Sequence, residues 1–145
     1  YLYITGKAVI FGFAVGLVFM SGHILAAGGI KLKKTDLNKG LLFTCALIYF
    51  LELPAEEFLY RGIIFVPLLK IAGPYFAIIF SSLLFLLLHT KTHKNKLIWV
   101  GSLVMGVVAA AGVYCTGSIW CAVIIHNLNN IGFLTLVNKR NIFKK

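Results

Sequence analysis

LLFTCALIYFLELPAEEFLYRGIIFVPLL, residues 41–69, decides how this chain folds, because it is apolar enough for lipid and yet carries charge at its centre. It exceeds the roughly 20 residues that one helical crossing of a ~30 Å hydrocarbon core requires. Pro54 lies inside it, and a proline there removes a backbone donor and crowds the preceding turn, so a kink or a break is expected. Three of the four acidic residues of the chain, Glu52, Glu56 and Glu57, fall within this stretch, together with Arg61, one of only two arginines. An ionisable side chain at the middle of a membrane helix costs on the order of 2.5–3.5 kcal/mol even on the lenient scale, so these groups are expected to have partners or a task.

The flanking sequence sets the class. The 145 residues are 60% hydrophobic, with a mean hydropathy of +0.94. Apolar runs recur at about 8–30, 74–89, 97–113 and 118–137, which with the opening stretch predicts an all-α, polytopic transmembrane helix bundle of about five spans. Residues 1–145 read as a single transmembrane domain, with no internal repeat, linker or low-complexity tract. Pro74 suits a first helical turn and Gly117 marks a turn. Gly12 and Gly16 have the spacing that lets membrane helices approach closely, and His23 is read as a packed or interfacial histidine. The chain starts at Tyr1 with no cleavable signal pattern, which leaves room for upstream helices.

The net charge of +10 is informative through its placement. Lys31, Lys33, Lys34 and Lys39 follow one apolar run, and Lys91, Lys94 and Lys96 follow another. Lys139, Arg140, Lys144 and Lys145 form a basic tail over 138–145. This positive-inside pattern puts those loops and the tail in the cytoplasm, the turns near Lys70 and Gly117 outside, and anionic membrane lipids against the basic residues. Nucleic acid is excluded as a partner, since no basic face interleaved with aromatics accompanies the charge. Twelve lysines against two arginines suggest a bacterial plasma membrane. The odd set Cys45, Cys115 and Cys121 implies no disulfide framework. The sequence leaves the oligomeric state open.

Helical spacing sorts the polar groups. Glu57 and Arg61 share a face four residues apart in the favourable order for an ion pair. Glu56 points about 100° away from Glu57 and is free for chemistry, with Glu52 on its own face. His126 and Asn130 are also four apart and can aim at one point, and His89 closes the third apolar run. Three separate helices therefore bring polar groups into lipid-like surroundings.

These residues match a family. EEFLYRG, Glu56 to Gly62, resembles the E-E-x-x-x-R motif of the CAAX-protease and bacteriocin-processing (CPBP or Abi) family of intramembrane endopeptidases, which includes the Ras-converting CAAX endopeptidases. FLLLH, Phe85 to His89, resembles its second motif, F-x-x-x-H, and HNLNN, His126 to Asn130, resembles its third, H-x-x-x-N. The resemblance implies a glutamate-dependent endopeptidase acting on a peptide or membrane-tethered protein. Its catalytic residues would be Glu56 and His89, activating a water, and His126 and Asn130, holding the oxyanion. Glu57 and Arg61 would be supporting residues, and no cofactor is implied.

Three alternatives stand beside that expectation. A zinc-dependent version would use Glu56, His89 and His126 as ligands, although no H-E-x-x-H helix demands the metal. A proton- or ion-coupled transporter would also place Glu, His and Arg in lipid, but the chain is small and lacks paired halves. A non-enzymatic scaffold, as in bacteriocin immunity, has no obvious need of so many ionisable groups. The peptidase reading requires one cavity in the cytoplasmic half lined by Glu56, His89, His126 and Asn130.

Overall fold

The computed structural model describes residues 1–30, 39–92 and 94–137, and these are helical throughout apart from short turns, with no strand among them. Five helices follow in order: α1 (Gly6–Ala26), α2 (39–72), α3 (74–92), α4 (Lys96–Thr116) and α5 (Ile119–Val137). Four stretches are long and apolar enough to cross a membrane, and the second of them, Leu42–Lys91, runs for 50 residues. A straight helix of that length would extend about 75 Å, more than twice the hydrocarbon core. The chain reverses instead: the rings of Tyr60 and Phe85, far apart in sequence, lie 5.2 Å from each other. Gly73 makes the reversal with φ 80° and ψ 172°, a conformation that side chains other than glycine avoid, and Pro74 then opens α3.

The turn is therefore at Gly73, close to the turn expected near Lys70 and directly before the helix start expected at Pro74. Backbone angles stay helical beside the proline, with Leu53 at φ −63° and ψ −44°. The hydrogen-bond ladder widens to a π-helix over Leu47–Glu52 just upstream, and again over Phe58–Phe65. A wide turn gives the pyrrolidine ring room against the preceding carbonyls, so α2 absorbs the proline without breaking. A second difference concerns Thr90 and Lys91, which read as loop residues in the sequence but prolong α3 to Thr92. Asn95 then caps α4, its Oδ1 accepting the Leu97 amide at 2.9 Å. Gly117 closes α4 in the left-handed conformation, donating to Val113 O at 2.8 Å.

The two ends of the bundle differ. At one end lie the Gly73 and Gly117 turns, and residues 1–5 are strapped across the start of α5. Tyr1 O accepts from Ile119 N at 2.9 Å, Leu2 O from Trp120 Nε1 at 2.8 Å and Tyr3 O from Ser118 Oγ at 2.6 Å. The opposite end carries Lys39, Lys91, Lys94 and Lys96. Lys31, Lys33, Lys34 and the basic segment 138–145 lie outside the described residues.

Polarity is inverted relative to a water-soluble domain. Ile10, Phe50, Ile63 and Ile71 are exposed on the outer surface, while Glu57, Arg61, Ser81, Ser82 and His126 are buried inside. Lipid, not water, suits such a surface, and the chain is an integral membrane protein. α1 lies closely on α5: a Cβ at Gly12 would meet Ile124 Cβ at 3.0 Å, and one at Gly132 would stand 2.8 Å from Met20 Cα. Close backbone approach of this kind is how helices associate where no hydrophobic effect drives them together.

Candidate active site

The centre of the bundle is a buried charge cluster. Glu57 and Arg61, one turn apart on α2, form an ion pair with Oε2 and Nε 3.1 Å apart, both side chains fully shielded. The other carboxylate oxygen, Oε1, accepts from Nδ1 of His126 on α5 at 2.9 Å. Arg61 also donates from Nη2 to Gly106 O on α4 at 3.2 Å and lies with Cζ 4.9 Å from the centroid of the Phe85 ring. One anion thus faces two basic groups, and an aromatic face covers part of the guanidinium. Four helices are joined through these contacts.

Phe85 is the hub between the cluster and the remaining histidine. Its ring packs edge-on against Tyr60 and His126, with centroids 5.2 and 5.5 Å away, and lies 4.4 Å from the His89 ring. One turn further along α3, His89 Nδ1 donates to Phe85 O at 3.0 Å. That bond fixes the tautomer and turns Nε2 toward other partners.

Glu56 faces elsewhere. Its side chain is half-buried, and Oε2 is shielded without meeting a hydrogen-bond donor among the described residues. It lines a cavity of about 1050 Å³ that also takes in His89, His126 and Asn130. All four residues therefore open on one space. The walls come from the last turns of α1, α3 and α5 and the first halves of α2 and α4, so the cavity occupies the lysine-bearing half of the bundle. Most of its surface is apolar, from Phe19, Leu53, Leu88, Met105 and Phe133 among others. Tyr49 and Thr135 tie α2 to α5 beside it, with their hydroxyl oxygens 2.6 Å apart.

The cavity also holds polar residues that the motif reading did not select: Glu52, Asn95, Ser102, Asn129 and His23. His23, read from the sequence as a packed or interfacial histidine, is packed against α5 and has a specific polar partner there. Its Nε2 donates to Asn129 Oδ1 at 2.9 Å, and its ring lies 5.3 Å from that of Phe133. A signal existed: His23 follows Gly16 by seven residues, two turns along the face that the glycines press onto α5.

Glu56, His89 and His126 share the cavity wall without forming a ligand cage, and among the described residues no group of three His, Cys, Asp or Glu side chains could hold a metal ion. Cys45, Cys115 and Cys121 are free thiols.

Comparison with known proteins identifies the family. The profile of the family described as type II CAAX prenyl endopeptidase, Rce1-like, matches residues 38–132, which include α2, α3, α4 and α5 as far as Gly132. No curated protein and no solved structure matches the chain. The matched region contains all three motifs and every residue of the buried charge cluster, and on that evidence the chain belongs to the Rce1-like type II CAAX prenyl endopeptidase family, a family of intramembrane proteases.

Proposed function

We propose that the protein is an intramembrane endopeptidase that hydrolyses a peptide bond with a water activated by Glu56 and His89. The observation that carries this reading is the shared cavity: Glu56, His89, His126 and Asn130 open on one space in a bundle otherwise built for lipid. Glu56 Oε2, which meets no donor among the described residues, can accept a proton from a water, and His89 Nε2 can hold the same water from another helix. The water oxygen attacks the scissile carbonyl, the carbonyl oxygen takes the negative charge, and the proton held at Glu56 passes to the leaving amine. His126 Nε2 and the Asn130 carboxamide are the groups available to meet the oxyanion. Donation from Nε2 requires a proton on both ring nitrogens, with Nδ1 donating to the Glu57 carboxylate that also pairs with Arg61.

The substrate is a peptide or the tail of a membrane-tethered protein, reaching the cavity from the basic end of the bundle. By the positive-inside rule that end is cytoplasmic, with the segment 138–145 on the same side. The test is cleavage of a panel of membrane-tethered peptides by purified protein, wild type beside Glu56→Ala. Loss of cleavage in the variant is expected, and equal turnover by both would overturn the proposal.

A further inference from the structure

We infer that His23, on α1, is a positioning residue that holds the Asn129–Asn130 step of α5 in register with the cavity. The contact is specific. His23 Nε2 donates to Asn129 Oδ1 at 2.9 Å, a bond between side chains 106 residues apart, and the imidazole also rests against Phe133 with centroids 5.3 Å apart. Both partners line the cavity into which Asn130 opens.

Local structure explains why α5 needs such a tie. Regular α-helix ends at Asn130, and from Ile131 to Val137 the ladder widens to a π-helix. A change of ladder shifts the azimuth of every side chain around it, so the last regular turn is where the aim of Asn130 is least fixed by its own helix. Intrahelical bonds do not help there, since Ile131 N is shared between Asn127 O and Leu128 O. The neighbouring helix supplies the constraint instead. α1 meets α5 at glycines on either side of the step: a Cβ at Gly16 would lie 2.9 Å from Leu128 Cβ, and one at Gly132 would lie 2.8 Å from Met20 Cα. Close backbones bring a short, stiff imidazole within reach of Asn129, and its N–H then sets the roll of the helix.

α1 lies outside the stretch 38–132 that the family profile matches. The inference therefore assigns to a helix beyond the family's motif-bearing region a part in aiming one of the site's side chains. It rests on the peptidase reading for its kinetic readout only.

Two measurements test it on the full chain in detergent or liposomes. In kinetics, His23→Phe keeps the ring against Phe133 but loses the N–H, and kcat is expected to fall about tenfold, with KM within about twofold of wild type. His23→Gln, whose amide can still donate, restores most of the rate, and Asn129→Ala reproduces the loss from the other partner. A general structural defect would not be rescued by Gln. The second measurement needs no catalysis: in an Asn130→Cys variant also carrying Cys45→Ala and Cys115→Ala, the rate of modification by a water-soluble methanethiosulfonate changes several-fold when His23→Phe is added and returns with His23→Gln. If wild type cleaves no peptide, the proposed function fails and the modification rates alone decide this inference. Equal modification rates whether position 23 is left as His or carries either substitution overturn it, as do equal kcat values in an active enzyme.

Discussion

His126 Nδ1 lies 2.9 Å from Glu57 Oε1, so the histidine of the third motif is bonded to the second glutamate of the first and not to its neighbour Glu56. Adjacent residues on α2 are thereby separated in kind. Glu57 is committed to Arg61 and His126 in a fully buried cluster, and Glu56 is left with an oxygen that faces no donor among the described residues.

That separation gives opposite expectations for two near-identical substitutions. Glu57→Gln leaves Arg61 buried without its anion and should destabilise the fold by about 3–5 kcal/mol, the usual cost of breaking such a pair. Glu56→Gln should leave stability within about 1 kcal/mol while lowering turnover by at least a factor of about 10²–10⁴. Reversible unfolding in mixed micelles, run beside the cleavage assay, compares the two. Equal stability losses would show that the cluster does not hold the bundle together.

Asn130→Ala removes one donor from the cavity wall. With Asn130 meeting the oxyanion, kcat should fall about 10²–10³-fold with little change in KM. A purely KM effect would instead make Asn130 a ground-state binding residue.

Metal removal discriminates between water activated by carboxylate and water activated by zinc. Activity is expected to survive exhaustive dialysis against a chelator, with metal content measured on the same sample. Loss of activity that zinc restores would replace the carboxylate mechanism with a metal-dependent one.

The contact of α1 with α5 should tolerate no added carbon at Gly132. Its Cβ would meet the Met20 backbone at 2.8 Å, which cannot swing aside, so Gly132→Ala is expected to cost about 1–3 kcal/mol. Gly22→Ala, with nothing within 4 Å of the new carbon, is the control and should be neutral or slightly stabilising. Equal melting of the two variants would remove the argument from close approach.

Membrane sidedness can be read directly by cysteine labelling in intact cells, with the native cysteines that react replaced. Lys70→Cys, near the Gly73 turn, should be labelled by an impermeant reagent from outside, whereas Lys94→Cys should react only after permeabilisation. The reverse pattern would put the cavity on the outer face.

Much of the architecture was legible because bilayer thickness leaves few choices. Apolar length gave the spans, Pro74 the start of α3, and Gly117 the turn after α4. Pro54 marked a local disturbance of α2, but a proline in a sequence says only that one hydrogen bond is missing and not that the ladder will widen to a π-helix upstream. The Glu57–Arg61 pair followed from i,i+4 spacing, which is a local property. The partner of His126 did not, because a contact between helices 69 residues apart leaves no periodic trace. The bond between His23 and Asn129 escaped for the same reason, although the glycines earlier on α1 marked the face it shares.

The cavity stops at the middle of the bundle. Beyond it Phe65, Ala77, Ala109, Ala110, Val113 and Ala122 fill the other half, and the strap of residues 1–5 covers that end. Among the described residues the cavity is therefore closed at that end, which gives the bundle the form of a cup. On the proposed mechanism, water would reach the depth of the glutamates from one end only, so peptide bonds could be cut inside the bilayer without opening a path for ions through it.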